Sequence, residues 1–287
     1  MATSIAEAIL QGANKLRKAG VPEERREAGS LLMYVLNRDR THLLAHAEDQ
    51  LSEEEVEKFV ETLEARARGK PLQYITGRQE FFGLEFEVNA DVLIPRPETE
   101  LLVEATLALI SPNETPFICD VGTDSGCVIV ALLHKLPQAS GLALDISPAA
   151  LAVAKRNAQR HGIKARLSFV TSDCFAGLGS TPDPGFDLVV SNPPYVSERV
   201  VDGLQREVRD FEPRVALTAG EDGLSVIRRL LIESHNYLKD SGLLIFEMGF
   251  DQYDAVTALI DDKHWKLLEV CDDLQGIPRT VALTKRG

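Results

Sequence analysis

Apolar positions along this chain fall into two textures that change near residue 90. From residue 4 to about 69 they recur at three- and four-residue spacing, as on one face of a helix. "SIAEAILQGANKLRKAG" closes on Gly20 with Pro22 beyond it, and "PEERREAGSLLMYVLNR" continues the same period. "LSEEEVEKFVETLEARARG" offers Ser52 as N-cap, Glu55 three residues on, and Gly69 as a stop. A small helical bundle is expected. "RQEFFGLEFEVN" then alternates about Gly83 and predicts a short hairpin. Past "LIPRPETE", apolar runs alternate with helical stretches: "FICDVG", a helix from about 126, "GLALD", a helix opened by Ser147 and Pro148, "RLSFV", "FDLVVSN", a helix from about 222 and "GLLIFEMG". Strands separated by helical crossovers predict an α/β fold, a Rossmann-like parallel sheet wound on both faces. "HWKLLEVCDD" and "TVALTKR" stand too close for a crossover helix and predict an antiparallel pair at one edge. "GLGSTPDPG", residues 177–185, reads as a surface loop. The expected domains are 1–76 helical, 77–95 a hairpin linker and 96–287 the sheet.

With 44% hydrophobic and 26% charged residues, the 287-residue chain has the composition of a globular protein able to bury a core. Its net charge of -13 argues against a protein whose main task is gripping duplex phosphates, although a local basic patch is compatible with it. Residues 1–90 carry 12 Lys and Arg against 16 Asp and Glu, so the helical segment is not a basic arm either. Stable nucleic-acid binding is not expected. The N-terminal stretch lacks a signal-type apolar core and no run approaches the roughly 18 apolar residues of a membrane span, which points to a cytoplasmic protein. Cys119, Cys127, Cys174 and Cys271 form no C-x-x-C pair and the six histidines no ligand-spaced cluster, so neither metal nor disulfides are expected. Trp265 reads as packing for the edge strands.

Candidate chemistry gathers where strands end. In an open α/β sheet, ligands bind outside the carboxyl ends of the strands, and here the first such turn is "DVGTDSGC", residues 120–127. Gly122 and Gly126 give a tight turn into a helix with free N–H groups. The next strand ends at Asp145, 25 residues after Asp120, where a nucleotide-binding fold places the carboxylate that takes ribose hydroxyls. The third ends in "TSDC" and brings Asp173 to the same rim. G-x-G-x-x-G is missing, as are the lysine and hydroxyl of a phosphate loop. A cofactor with ribose and adenine but no phosphates fits better, and the cationic S-adenosyl-L-methionine suits a carboxylate-rich rim. The same residues also suit an ordinary strand-to-helix turn with solvated aspartates.

The fourth strand runs into Asn192-Pro193-Pro194-Tyr195, which can neither extend a sheet nor start a helix. A planar amide or exocyclic amine is a poor nucleophile, because its lone pair is delocalised, yet it carries two N–H donors. The Asn192 side-chain carbonyl and the Pro193 backbone carbonyl can accept both, drawing electron density onto nitrogen, while Tyr195 can stack on the planar group. Fixed prolines preorganise that grip. A proline-rich strand exit with Asn as a turn residue is the plainer alternative.

"SNPPYV", "LIPRPETELLVE", "DVGTDSGC", "LALDIS", "FEPRVALTAGEDGL" and "DLQGIPR" together resemble the release factor glutamine methyltransferases of the HemK/PrmC type, over nearly the whole chain. The resemblance implies N5-methylation of the glutamine in the Gly-Gly-Gln motif of class-1 peptide chain release factors. It implies a cofactor site lined by Gly122, Thr123, Asp124, Ser125, Gly126, Asp145, Asp173, Cys174 and Asn192. Substrate would be gripped by Asn192, Pro193, Pro194 and Tyr195, with Asn192, Pro193 and Tyr195 carrying the chemistry. Arg96 to Thr99 resembles the family's cofactor-side loop, or is a proline-fixed helix entry. The helical region would dock the release factor, and the protein would be a monomer. The resemblance departs at Asp124, where glycine is usual, and at Cys174, where a larger residue is usual. If position 124 is left-handed, aspartate costs roughly 1–2 kcal/mol, and Asp124→Gly would tighten cofactor binding. Two alternatives stand beside this reading: a nucleic-acid adenine-N6 or cytosine-N4 methyltransferase, which shares Asn-Pro-Pro-Tyr, and a release-factor-binding homologue with impaired cofactor binding.

Overall fold

A computed structural model describes residues 3–111, 114–179 and 185–286; residues 180–184 of the loop expected over 177–185 lie outside the described residues. The chain divides into two compact units, Met1–Arg78 with Gln205–Phe211, and Gln79–Leu204 with Glu212–Gly287. Residues 79–95, read from the sequence as part of a linker, thus lie in the second unit. A short stretch far along the chain lies in the first.

The first unit holds α1 (Ile5–Lys18), α2 (Glu24–Leu36), α3 (Arg40–Ala45), α4 (Glu53–Ala67) and α5 (Leu72–Thr76). Capping boxes start α1 at Ser4 with Glu7 and α4 at Ser52 with Glu55, each satisfying two otherwise unpaired backbone N–H groups. Leu16, Ala28, Leu31, Leu32, Phe59 and Leu63 form the core. Inside this apolar packing lies Arg66, whose side chain is only 2% exposed. It pairs with Glu27 of α2, donates from Nη2 to Glu207 at 2.6 Å, and donates from Nη1 to the Lys70 carbonyl at 3.3 Å. A buried guanidinium holds its charge only when its donors are met in this way.

The second unit opens with the hairpin β1 (Arg78–Phe81) and β2 (Leu84–Glu87), followed by α6 (Glu100–Leu109), β3 (Phe117–Val121), α7 (Cys127–Lys135), β4 (Ser140–Asp145), α8 (Pro148–Arg160), β5 (Leu167–Thr171) and β6 (Phe186–Ser191). Then come α9 (Arg206–Phe211), which carries Glu207 in the first unit, α10 (Arg214–Leu217), α11 (Ser225–Tyr237), β7 (Leu238–Glu247), α12 (Tyr253–Leu259), β8 (Trp265–Asp272) and β9 (Pro278–Lys285). Among the described residues the larger sheet has seven strands, ordered β5-β4-β3-β6-β7-β9-β8. β5 to β7 run parallel, and β9 enters antiparallel between β7 and β8. The expected edge pair is therefore present with its second strand on the inner side. Ile118, Val189, Leu244 and Val281 sit in the buried strands as near-continuous apolar runs, as a sheet covered on both faces requires. Asn157 of α8 is wholly buried; its side chain bonds the Glu87 N–H at 2.8 Å, the Glu87 carbonyl at 3.0 Å and the Ser125 carbonyl at 2.9 Å. One side chain thus fastens the hairpin to the turn after β3.

Arg66→Ala strips the charge partner from Glu27 and Glu207 and leaves a void. We expect a loss of about 3 kcal/mol in chemical denaturation followed by circular dichroism; a stability unchanged to within 0.5 kcal/mol, roughly the effect of a neutral surface change, would contradict this account.

Candidate active site

β3, β4, β5 and β6 deliver their carboxyl ends to one rim, with Val121, Asp145, Thr171 and Ser191 as last residues. The turn after β3 needs three positive φ angles: Gly122 at 73°, Asp124 at 54° and Gly126 at 80°. At Gly126 a Cβ would stand 3.0 Å from the Ala154 Cβ, so glycine also lets α7 start close against α8. Asp124 is indeed left-handed, which carries the strain anticipated for a non-glycine residue. Its side chain offsets part of this strain, because Oδ1 accepts the Leu93 N–H at 3.1 Å and ties the segment before "IPRPETE" to the turn. Glycine at 124 would relieve the backbone and release that tie, two effects of opposite sign. Asp145 accepts the Asp124 N–H on Oδ2 and the Ser147 N–H on Oδ1, each at 2.8 Å. The Thr123 hydroxyl donates to Asp120 at 2.7 Å.

These residues border a cavity of about 210 Å³. Of the residues singled out from sequence, Gly122, Thr123, Asp124, Asp145, Asp173, Cys174, Asn192, Pro193 and Pro194 line it. Ser125, Gly126 and Tyr195 do not. Ser125 and Gly126 turn inward to begin α7. Tyr195 instead donates its hydroxyl to Glu247 at 3.1 Å, and its carbonyl accepts from the Gln252 Nε2 at 3.0 Å. Asp173 is paired with Arg229 of α11 at 2.6 Å, so its negative charge is largely met within the protein. Cys174 has a φ of 47° and its thiol is pushed up to about 11 by burial.

Sequence reasoning assigned no site role to Asp120, Leu93, Thr99 individually, Glu247, or the Pro213–Thr218 segment. Asp120, Leu93, Thr99, Pro213, Val215, Ala216 and Thr218 line the cavity. Two signals were visible: a lone carboxylate at the end of the apolar run "GLLIFEMG", and the quoted segment "FEPRVALTAG". The latter reaches the rim because Arg96 donates to Glu212 at 2.5 Å and because the Val196 N–H donates to the Leu217 carbonyl at 2.9 Å.

Burial dominates the electrostatics. It pushes the Asp120 carboxyl up to about 7, opposed by the Thr123 hydroxyl and assisted by the Asp145 charge. Burial and Asp145 also raise Asp124 well above the carboxylate range, and burial raises Asp145. The Asp145 charge repels those of Asp120 and Asp124, and a cavity lined by carboxylates favours a cation over a phosphate. At the other wall, the Asn192 Nδ2 donates to the Thr99 Oγ1 at 3.0 Å.

Residues 7–77 match the family model described as PrmC N-terminal domain, and residues 98–208 match Methyltransferase small domain. A release factor glutamine methyltransferase of Koribacter versatilis is 43% identical, with 93% of each chain covered. One of Nitratidesulfovibrio vulgaris is 40% identical over 97% of this chain and 96% of that one. The chain belongs to the release factor glutamine methyltransferase family. Solved structures agree on the fold alone. A ribosomal protein L11 methylase of Lactobacillus delbrueckii subsp. bulgaricus has a TM-score of 0.51 at 19% identity, covering 70% of this chain and 84% of that one. A methyltransferase of Pyrococcus furiosus also scores 0.51, at 16% identity over 72% and 91%. In this member of the glutamine methyltransferase family, the second matched domain spans both the glycine turn and Asn-Pro-Pro-Tyr.

The strand exit is clamped by Gly223, whose φ is 75° and whose absent Cβ would lie 2.2 Å from the Tyr195 carbonyl oxygen. Gly223→Ala should therefore cost about 2 kcal/mol or more, from left-handed strain plus displacement of Tyr195. A thermal melt indistinguishable from the parent would refute this close approach.

Proposed function

We propose that this chain transfers a methyl group from S-adenosyl-L-methionine to the side-chain amide nitrogen, N5, of the glutamine in the Gly-Gly-Gln motif of class-1 peptide chain release factors. The observation that carries the reading is Asn192 at the wall of a carboxylate-lined cavity with its Nδ2 already engaged by Thr99, which leaves the carbonyl end for a ligand's N–H. Relatives named for this activity, at 40–43% identity, support it.

The donor set suits that cofactor. Asp120, Asp124 and Asp145 favour a cation, Asp145 retains lone pairs for ribose hydroxyls, and Asp173 and Cys174 border the adenine side. Gly122 to Asp124 would let the cofactor approach the backbone, and Asn192 would stand at its methyl end. When bound, the cofactor supplies a methyl group on a cationic sulfonium, whose sulfur keeps the electron pair of the broken bond. The Asn192 Oδ1 and the Pro193 carbonyl accept the two N–H groups of the substrate amide, which aims nitrogen and raises its electron density. Pro194 fixes the backbone, and the Tyr195 hydroxyl, bonded to Glu247 at 3.1 Å, anchors the end of the motif. The nitrogen loses its proton to water afterwards. The helical unit docks the release factor, and the cytoplasm is the place of work. A nucleic-acid substrate is less well supported, since the net charge is -13.

Calorimetric titration with S-adenosyl-L-methionine, followed by mass analysis of a release factor incubated with both, tests the proposal. Binding and a methyl-sized gain on the Gly-Gly-Gln peptide support it; binding without that gain would overturn the substrate. Asn192→Ala is expected to remove most methyl transfer, at least about 100-fold, while cofactor affinity stays within about threefold; near-normal turnover would sink the assigned grip.

A pH dependence follows from Asp120. Its carboxyl rises from an ordinary 3.8 to about 7 on folding. Its contribution to stability is therefore full below about pH 4 and is lost as the pH rises toward 7. A cation in the cavity favours the ionised form, so cofactor binding should release protons near pH 6–7 and tighten as pH rises. Titration in two buffers of different ionisation heat measures this, and proton uptake would contradict it.

A further inference from the structure

Pro213, Val215, Ala216 and Thr218 give the cavity a wall that belongs to no long helix or strand. Val215 is 53% exposed, so this wall reaches the cavity mouth. Within the segment the backbone bonds to itself, the Ala216 N–H to the Pro213 carbonyl at 2.9 Å and the Thr218 N–H to the Arg214 carbonyl at 3.1 Å. Such bonds shape the segment without fastening it to the sheet. Its far end is joined to the Asn-Pro-Pro-Tyr exit, where the Val196 N–H donates to the Leu217 carbonyl at 2.9 Å and the Ala219 N–H donates to the Val196 carbonyl at 3.1 Å. Its near end begins at Glu212, the first residue of the second unit after the excursion through 205–211. There the Arg96 Nη2 donates to the Glu212 Oε1 at 2.5 Å. The Glu212 side chain is 1% exposed and that of Arg96 31%. Burying one charge without the other is costly, so this pair holds harder than an exposed one. Pro95 and Thr99 on either side of Arg96 line the cavity, whereas Arg96 does not, so its guanidinium serves the wall rather than a ligand.

We propose that Arg96 and Glu212 are positioning residues whose ion pair seats the 213–218 segment as a wall of the cavity and thereby slows escape of the molecule bound there. They act through that segment and touch no reacting atom. The identity of the bound molecule, S-adenosyl-L-methionine, rests on the function proposed above. The ion pair is one of three links in a closed ring: Arg96 to Glu212, Leu217 to Val196, and Asn192 to Thr99 at 3.0 Å, joined by the short chain segments 96–99, 192–196 and 212–217. Each of those segments contributes lining residues. Cutting the ion pair opens the ring, and the slack is then shared with the bond at Val196.

The test uses the full-length protein and two readouts. The first is 15N relaxation of the backbone amides without cofactor. In Arg96→Met, which keeps the apolar stem and removes the cation, order parameters at Val196, Ala216, Thr218 and Ala219 should fall from about 0.85 to about 0.7 or lower, while those of Val189 and Leu244, paired in β6 and β7, stay at the parent value. The second is release of radiolabelled S-adenosyl-L-methionine chased with unlabelled cofactor, which should be at least about fivefold faster with association within about twofold. Arg96→Lys, a point charge without the planar fork, should recover part of both losses. Glu212→Gln should also speed release, and Arg96→Met with Glu212→Gln should be no worse than the worse single change, as a coupled pair requires. Unchanged order parameters and release in Arg96→Met, or losses that add in the double variant, would overturn the clamp. If Arg96→Met does not fold, Glu212→Gln decides the question by the same two readouts. A parent protein that binds no S-adenosyl-L-methionine, with the order parameters behaving as described, would overturn the cofactor reading and leave the seating of the wall standing.

Discussion

The carboxylate of Asp145 is the constraint on which the cofactor side of the site depends. It stands at the end of β4 and accepts the backbone N–H groups of Asp124, in the neighbouring turn, and of Ser147, at the start of α8. Two strand-to-helix turns are thereby locked to one side chain. Charge-assisted bonds of this kind are short and strong, and the left-handed residue at 124 is held in place by what surrounds it. The Asp124 side chain extends the same network to Leu93, so the wall formed by the 92–95 segment follows the turn. The cost is a cluster of buried carboxylates whose charges repel and whose pKa values rise. A folded state that tolerates such a cluster is poised to gain from a cation.

The opposite wall is built on different physics. Two prolines remove backbone donors and fix φ, so the exit from β6 is stiff in itself. It is then caught from outside: the Val196 N–H bonds the Leu217 carbonyl, Gln252 bonds the Tyr195 and Gly223 carbonyls, and Gly223 lets the two backbones touch. Beneath this sits Glu247, a buried carboxyl at the end of the apolar run 243–246. Buried polar groups are costly unless satisfied, and this one is half satisfied: the Tyr195 hydroxyl donates to Oε1 at 3.1 Å, while Oε2 has no hydrogen-bond partner.

In the helical unit a single buried guanidinium plays a comparable part. Arg66 joins α2 to α4 through Glu27 and captures α9 through Glu207, although Glu207 lies 141 residues away in sequence. The segment that follows the Asn-Pro-Pro-Tyr exit therefore visits the first unit before returning at Glu212, which Arg96 receives.

Periodicity alone determined the helical bundle, the alternating strands and helices and the antiparallel pair, because a helix and a strand repeat at 3.6 and 2 residues and a crossover needs length. Chemistry at strand ends determined the rim, since in a parallel sheet residues such as Gly122, Asp145, Asp173 and Asn192 must emerge on the same side. Tertiary structure decided what periodicity cannot carry. The place of β9 inside β8 depends on which edge is free when the last strand arrives. Whether Tyr195 faces a cavity or reaches back to Glu247 depends on a carboxylate 52 residues away. Position 124 was legible as an anomaly, yet only folding decided that its carboxyl would find the Leu93 N–H. Such bonds join residues far apart in sequence, and a one-dimensional pattern holds no record of which polar groups will be left to satisfy one another once the apolar surfaces close.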